Sequence, residues 1–232
     1  MTKRLFGLAL AALCIFGATP ASAITIGYGI GSEAAAAAAT TFTDAYTNVQ
    51  TQDFESYGSI GESTPFPLDI GFGTISRPAG STAGYIAYNT GDTQNAYGEV
   101  GLDKYYFSNG VAGSPSGKGT FTVNLDTNYR AMGFYATDWQ DIGGHVTLDV
   151  IGDGWSDSID VYGLLGALDT RELVYFSLFS ELAFNTVIFN ASGGDGYGID
   201  NLSVGSPTPI PGAFWLLGSG LLGLVGLRRR IA

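Results

Sequence analysis

Residues 120–161 read TFTVNLDTNYRAMGFYATDWQDIGGHVTLDVIGDGWSDSIDV. Three runs of alternation stand in this stretch. Thr120 to Leu125 places Phe121, Val123 and Leu125 on one face. Arg130 to Thr137 does the same with Met132, Phe134 and Ala136, and His145 to Ile151 with Val146, Leu148 and Val150. A period of two marks a half-buried strand, because successive side chains point to opposite faces of a sheet. Asp153-Gly154 is a hairpin turn signal, so Trp155 to Val161 reads as the return strand.

The same texture extends in both directions. Downstream, Leu173 to Leu178, Thr186 to Phe189 and Ile199 to Val204 read as strands. Upstream, Gln52 to Ser56, Gly73 to Arg77, Gly84 to Tyr88 and Lys104 to Phe107 do so more weakly. Gly, Pro, Asn and Asp clusters separate them. Ten or more short strands without intervening helices predict a mainly β fold, a jelly-roll-like antiparallel β-sandwich. No tandem repeat points to a propeller or solenoid. One helix precedes the strands. Ser32 can cap it, Ala34 to Ala39 carry high helix propensity, and Phe42 and Tyr46 lie one turn apart, so a short N-terminal helix is predicted over 33–47.

The flanks assign a destination. Residues 1–23 read as a secretory signal: Lys3 and Arg4, an apolar run from Leu5 to Phe16, and the small-residue site Ala21-Ser22-Ala23. Cys14, the only cysteine, lies inside it behind Leu13, which does not fit a lipoprotein site. The mature chain from Ile24 therefore has no thiol for a disulfide, a metal site or a nucleophile. Residues 24–205 form one exported domain. Between Ile24 and Ser206 stand all 21 acidic residues of the chain but only five basic ones, Arg77, Lys104, Lys118, Arg130 and Arg171, a formal charge of −16. Such a domain repels nucleic acid and anionic membrane surfaces and attracts divalent cations.

Residues 206–211 are a proline-rich linker, stiff and extended by composition. Residues 212–227 read as a single transmembrane helix, and 228–232 as a basic cytoplasmic tail. The uncharged run Ala213 to Leu227 would be about 22 Å long as a helix. Arg228, Arg229 and Arg230 can snorkel to the headgroups, and by the positive-inside rule they remain cytoplasmic. This tail resembles the PEP-CTERM sorting signal of Gram-negative bacteria. Pro209-Ile210-Pro211 stands at the motif position, with Ile210 where the commonest form has Glu, and Ala-Phe-Trp-Leu-Leu-Gly-Ser-Gly-Leu-Leu-Gly-Leu continues from Ala213 to Leu224. The resemblance implies an inner-membrane precursor facing the periplasm. An exosortase-type enzyme would cut it near the prolines and pass it to the cell surface or extracellular matrix. Gly133 to Asp138, Asp195 to Leu202 and Thr51 to Glu55 look like blocks of exported PEP-CTERM β-sandwich domains, which implies lectin-like architecture without a fixed activity.

Two kinds of site suggest themselves. By strand parity Asp200 shares a face with Leu202 and Val204, and Asp138 with Met132, Phe134 and Ala136, so both carboxylates would point inward. A buried carboxylate is costly unless paired or bound to metal, and Ca²⁺ takes hard oxygen ligands. Many jelly-roll carbohydrate-binding modules share a structural calcium between a Glu of the opening strand and an Asp of the last strand, positions that Glu55 and Asp200 match. The competing role for Asp138 and Asp200 is capping of turns. Alternation that buries Phe54 would also turn Glu55 outward. Gly193 to Gly198 lacks the Asp of the calcium-binding nonapeptide, and Asp153 to Asp160 lacks EF-hand order. For sugar stacking, Trp139 and Tyr197 are the candidate rings among Tyr105, Tyr106 and Trp155; the competing role for each is core packing. His145 is the only histidine and no Gly-x-Ser-x-Gly elbow accompanies it. The expected role is structural or adhesive, in the envelope or an exopolysaccharide, and non-enzymatic. A carbohydrate-binding module with a discrete glycan is the alternative, and a glycan hydrolase the third.

Overall fold

The computed structural model describes residues 24–58, 64–79, 84–88, 105–108, 119–140, 144–169, 172–192 and 196–207. The signal segment, the motif Pro209-Ile210-Pro211, the apolar run and Arg228, Arg229 and Arg230 lie outside them. Among the described residues no helix is long and apolar enough to cross a membrane.

The fold is mainly antiparallel β, arranged as a sandwich around one core. Strands run β1 Ile24–Ile30, β2 Tyr46–Gln52, β3 Leu68–Asp69, β4 Gly73–Ser76, β5 Tyr85–Tyr88, β6 Tyr105–Ser108, β7 Phe121–Thr137, β8 His145–Gly152, β9 Trp155–Asp160, β10 Val174–Ser192 and β11 Gly198–Pro207; the helices are α1 Ser32–Ala45 and α2 Val161–Leu165. Two strands are long, β7 with 17 residues and β10 with 19. They pair with each other along most of their length, but the register shifts between Phe179 and Phe184 and again before Thr186. Beyond that irregularity their neighbours change. The Val174 end of β10 borders β1, and the Ser192 end borders β8. The Thr137 end of β7 borders β11, and the Phe121 end borders β4. Strands that bend and switch sheets in this way make the corner of a sandwich.

The alternation quoted above packs as expected. Phe121, Val123, Met132, Phe134, Ala136, Val146, Leu148 and Val150 are all buried in one core with Phe176, Val187 and Phe189. Phe121 stacks on Phe189 at 4.4 Å, and Phe134 meets Phe189 edge-on at 5.2 Å, which ties one half of the bent sheet to the other. Asp153-Gly154 does turn a hairpin, with Gly154 at φ +73° and β9 paired on β8.

Several boundaries differ from the sequence reading. The runs 120–125 and 130–137 are one continuous strand. The helix begins on Gly31 at φ +84°, with no side-chain cap from Ser32, and ends at Ala45. Tyr46 and Thr47, placed in the helix by its periodicity, instead open β2 on the ladder to Pro207 and Ser206. The strand expected over 52–56 stops at Gln52. Phe54 takes a left-handed conformation at φ 58°, and Glu55–Tyr57 coil into a 3₁₀ turn. That twist breaks the alternation which would otherwise turn Glu55 away from the fold while burying Phe54, whose ring is fully buried. The return strand closes one residue early, because Asp160 caps α2 by accepting the Gly163 N–H at 3.0 Å.

Candidate functional site

Glu55 and Asp200 come from different elements that flank one strand junction. The edge of β11 away from β7 is shared: β6 pairs at Gly198 and Ile199, and β2 takes over from Leu202. Asp200 and Asn201 lie at the change of partner. The ladder to β7 is also irregular there, between Asp200 and Ser203, and Asn201 is left-handed at φ 49°. The extra residue moves Asp200 off the face of Leu202 and Val204. It pairs with Tyr135, whose ring packs against Tyr175 at 4.9 Å outside the main core. The inward parity predicted for Asp200 is thus corrected by a bulge, although the residue is fully buried. Its Oδ1 accepts the Asn201 N–H at 2.7 Å, a local bond of the turn-capping kind. Glu55 reaches the same junction from the 3₁₀ turn, and its Oε1 accepts the Tyr105 N–H of β6 at 2.6 Å.

Asp138 is buried at the end of β7, where the backbone turns through left-handed Asp138 and Gln140. Gln140 Oε1 accepts the Val146 N–H. Among the described residues no group of three His, Cys, Asp or Glu side chains gathers in a way that would hold a metal. Glu55 and Asp200 thus flank the β2/β6 junction of β11, and Asp138 lies in the turn that ends β7.

Trp139 and Tyr197 were candidates for exposed stacking rings, and the structure corrects this. Both are buried, at 0% and 1% exposure, and stand 6.1 Å apart within the core. Trp139 also meets Phe134 and Phe176 edge-on, each at 5.5 Å. The turn signals around Asp138 mark a chain reversal that carries the indole inward. Exposed rings stand elsewhere: Tyr28 and Tyr88 are 49% and 44% exposed. His145 starts β8 at the surface and stacks on Tyr162 at 4.0 Å.

The helix builds a second candidate site that the sequence reading did not identify. α1 lies on the face of the sheet opposite the main core, with Ala35 and Phe42 against Ala131 and Tyr175. Its first turn sits tightly on β1, where a Cβ at Gly29 would strike the backbone of Ala34. At its other end Phe42 and Tyr46 stand between helix and sheet, 4.8 Å apart, and Tyr46 stacks on Phe179 at 6.0 Å and 22°. The helix is therefore close to β1 at one end and propped off at the other. The gap is a groove of about 300 Å³ between α1, β1 and β10. Burial pushes the Tyr46, Tyr135 and Tyr175 hydroxyls above the usual tyrosine range, Tyr175 furthest because Tyr135 and Tyr46 add to it. The signal for this site was the pattern Ile-Thr-Ile-Gly-Tyr-Gly-Ile at 24–30, an alternating strand with glycines on the helix side.

A scan of protein-family models and a search of characterised proteins gave no match. Among solved structures the chain is similar to the K2 cleaved adhesin domain of Lys-gingipain, with a TM-score of 0.42 and 10% identity over 68% of this chain and 98% of that one. It is similar to TmCBM61 in complex with β-1,4-galactotriose, with a TM-score of 0.31 and 15% identity over 56% and 85%. A third similarity is to the enzymatically active domain of bacteriophage CBA120 tailspike protein 4, with a TM-score of 0.34 and 18% identity over 63% and 21%.

Proposed function

We propose that the chain is an exported surface protein, sorted through its tail by an exosortase-type enzyme. Its acidic, jelly-roll-like sandwich then serves a structural or adhesive role in the envelope or exopolysaccharide. The observation that carries this reading is the order of parts at the C-terminus. β11 closes the sheet against β7 and β2 as far as Pro207, and Pro209-Ile210-Pro211, the uncharged run and the three arginines follow at once. The role is binding rather than turnover; the single histidine, His145, is stacked on Tyr162 at a strand start. The test is fractionation of cells with and without an exosortase. With the enzyme, a shortened product should reach the surface or matrix; without it, the full-length chain should stay in the inner membrane. The same product in the same fraction from both strains would sink the reading.

The second reading, a carbohydrate-binding module with a structural calcium, is supported by the placement of Glu55 and Asp200 on either side of the β2/β6 junction of β11. Backbone carbonyls at such a junction supply further hard oxygens of the kind Ca²⁺ takes. A ligand that binds the folded state alone raises the unfolding temperature. The full chain should melt several degrees higher with calcium than with chelator. Asp200→Ala should lower the melting temperature in calcium and leave it nearly unchanged in chelator. Equal losses in both would assign Asp200 to the Asn201 turn alone.

A further inference from the structure

We propose that the groove between α1 and the β1/β10 edge is a binding site for one or two units of a neutral saccharide. This deepens the adhesive reading and rests on it. The groove is lined by four rings, Tyr28, Tyr46 and Phe179 with Phe42 buried at its base, and by three aliphatic hydroxyls, Thr25, Thr41 and Ser177. Sugar rings present an apolar C–H face and an equatorial belt of hydroxyls, and that pairing of ring and hydroxyl is what this groove supplies. Its volume of about 300 Å³ stands at the small end of ligand clefts.

Charge selects the class of saccharide. The lining includes no Asp, Glu, Lys or Arg, although the domain around it carries a formal charge of −16. A uronate or sulfated glycan would meet no cation in the groove and a repulsive field outside it. A neutral glycan avoids both penalties. Two of the hydroxyls are also held in place by backbone carbonyls. Gly27, which lines the groove on β1, carries no side chain, and its carbonyl accepts the Ser177 hydroxyl at 3.1 Å. The Thr41 hydroxyl is likewise held, on the Ala37 carbonyl at 2.9 Å. Each hydroxyl oxygen keeps lone pairs for a ligand hydroxyl. Pre-ordered groups of this kind reduce the entropy cost of binding.

The experiment uses the full chain in nanodiscs, passed over surfaces carrying galactan, xylan or glucomannan, with alginate as the anionic control. Saturable binding to at least one neutral polysaccharide, and none to alginate, is the expected result. Thr41→Trp, at an exposed helix position, should fill the groove and weaken binding at least tenfold with the melting temperature unchanged. Phe179→Ala should weaken it similarly by removing a ring. Absence of saturable binding to all three neutral polymers would overturn the proposal, as would equal binding to alginate or full binding by Thr41→Trp. Sorting of the same variants to the cell surface is scored separately. Normal sorting with no glycan binding removes the groove proposal alone, whereas failed exosortase-dependent sorting of the wild type removes the reading beneath it.

Discussion

Gly29 and Gly31 lie two residues apart and are glycine for different reasons. At Gly29 a methyl group would strike the carbonyl of Ala34, a backbone atom that moves only if α1 moves. At Gly31 nothing lies within 4 Å, but the backbone is left-handed at φ +84°. The first substitution overpacks an interface and the second strains a dihedral. Gly29→Ala should therefore cost stability at the upper end of about 1–3 kcal/mol, and Gly31→Ala, strained at φ +84° and ψ 157°, about 1–2 kcal/mol. Urea titration of both variants checks the order; a larger loss at Gly31 would mean that α1 is not seated on β1. Tyr175 carries a pH prediction. Its folded pKa is raised above the ordinary value of 10.0 by burial first, then by Tyr135 and Tyr46. Above that pH the unfolded chain releases a proton that the folded chain keeps, so this contribution is complete below pH 10 and declines as pH rises further. Tyr175→Phe should flatten the fall of stability between pH 10 and 12, approximately where the unfolded phenol ionises. An unchanged slope would place the alkaline sensitivity elsewhere.

The elements differ in how far the sequence reveals them, and the difference has physical causes. β8 and the first half of β7 are legible because each has one face in the core and the other outside, so hydrophobicity alternates along them, and β9 follows from the Asp153-Gly154 turn. The bend within β7 is not. Asp126-Thr127-Asn128 separates the two runs of alternation, yet the strand runs through it; the ladder to β10 skips these residues and resumes at Tyr129 with Phe184, while the Asp126 N–H donates to the Phe72 carbonyl at 3.0 Å. β1 was missed because its helix-facing positions include glycine, which weakens strand patterning while permitting the close approach of α1. The Glu55–Asp200 junction was half legible: residue types and chain order pointed to it, but the bulge at Asn201 that changes the face of Asp200 leaves no periodic trace. Trp139 went inward because the turn at Asp138 and Gln140 is set by left-handed residues other than glycine, which composition does not announce. The same contrast predicts dynamics. β7 and β10 have neighbours on both sides and a shared core, whereas α1 rests on the sheet through Ala35 and Phe42 and has no side-chain cap. Amides of β7 and β10 should exchange only with global unfolding, and those of α1 by a lower-energy local opening. Equal protection of helix and strands in native-state hydrogen exchange would contradict this.

At the scale of the whole molecule, the last strand constrains where the proposed processing can occur. β11 borders three elements: β7 along one edge, and β6 and then β2 along the other. Its final pairs, Ser206 with Thr47 and Pro207 with Tyr46, hold the start of β2, and the Tyr46 ring in turn stacks on Phe179 beneath α1. A cut before Ser206 would remove these pairs and loosen the end of α1 that props the groove open. A cut after Pro207 removes no described strand. In the proposed processing the cut should therefore fall between Thr208 and Gly212, within the proline-rich run. Mass spectrometry of the surface-released product should give a C-terminus inside that window, and the released domain should melt within a degree or two of the full-length chain. A C-terminus upstream of Ser206 on a fully stable product would show that the β2–β11 pairs do not hold the fold. The positions of the prolines and the end of the sheet would then be unrelated.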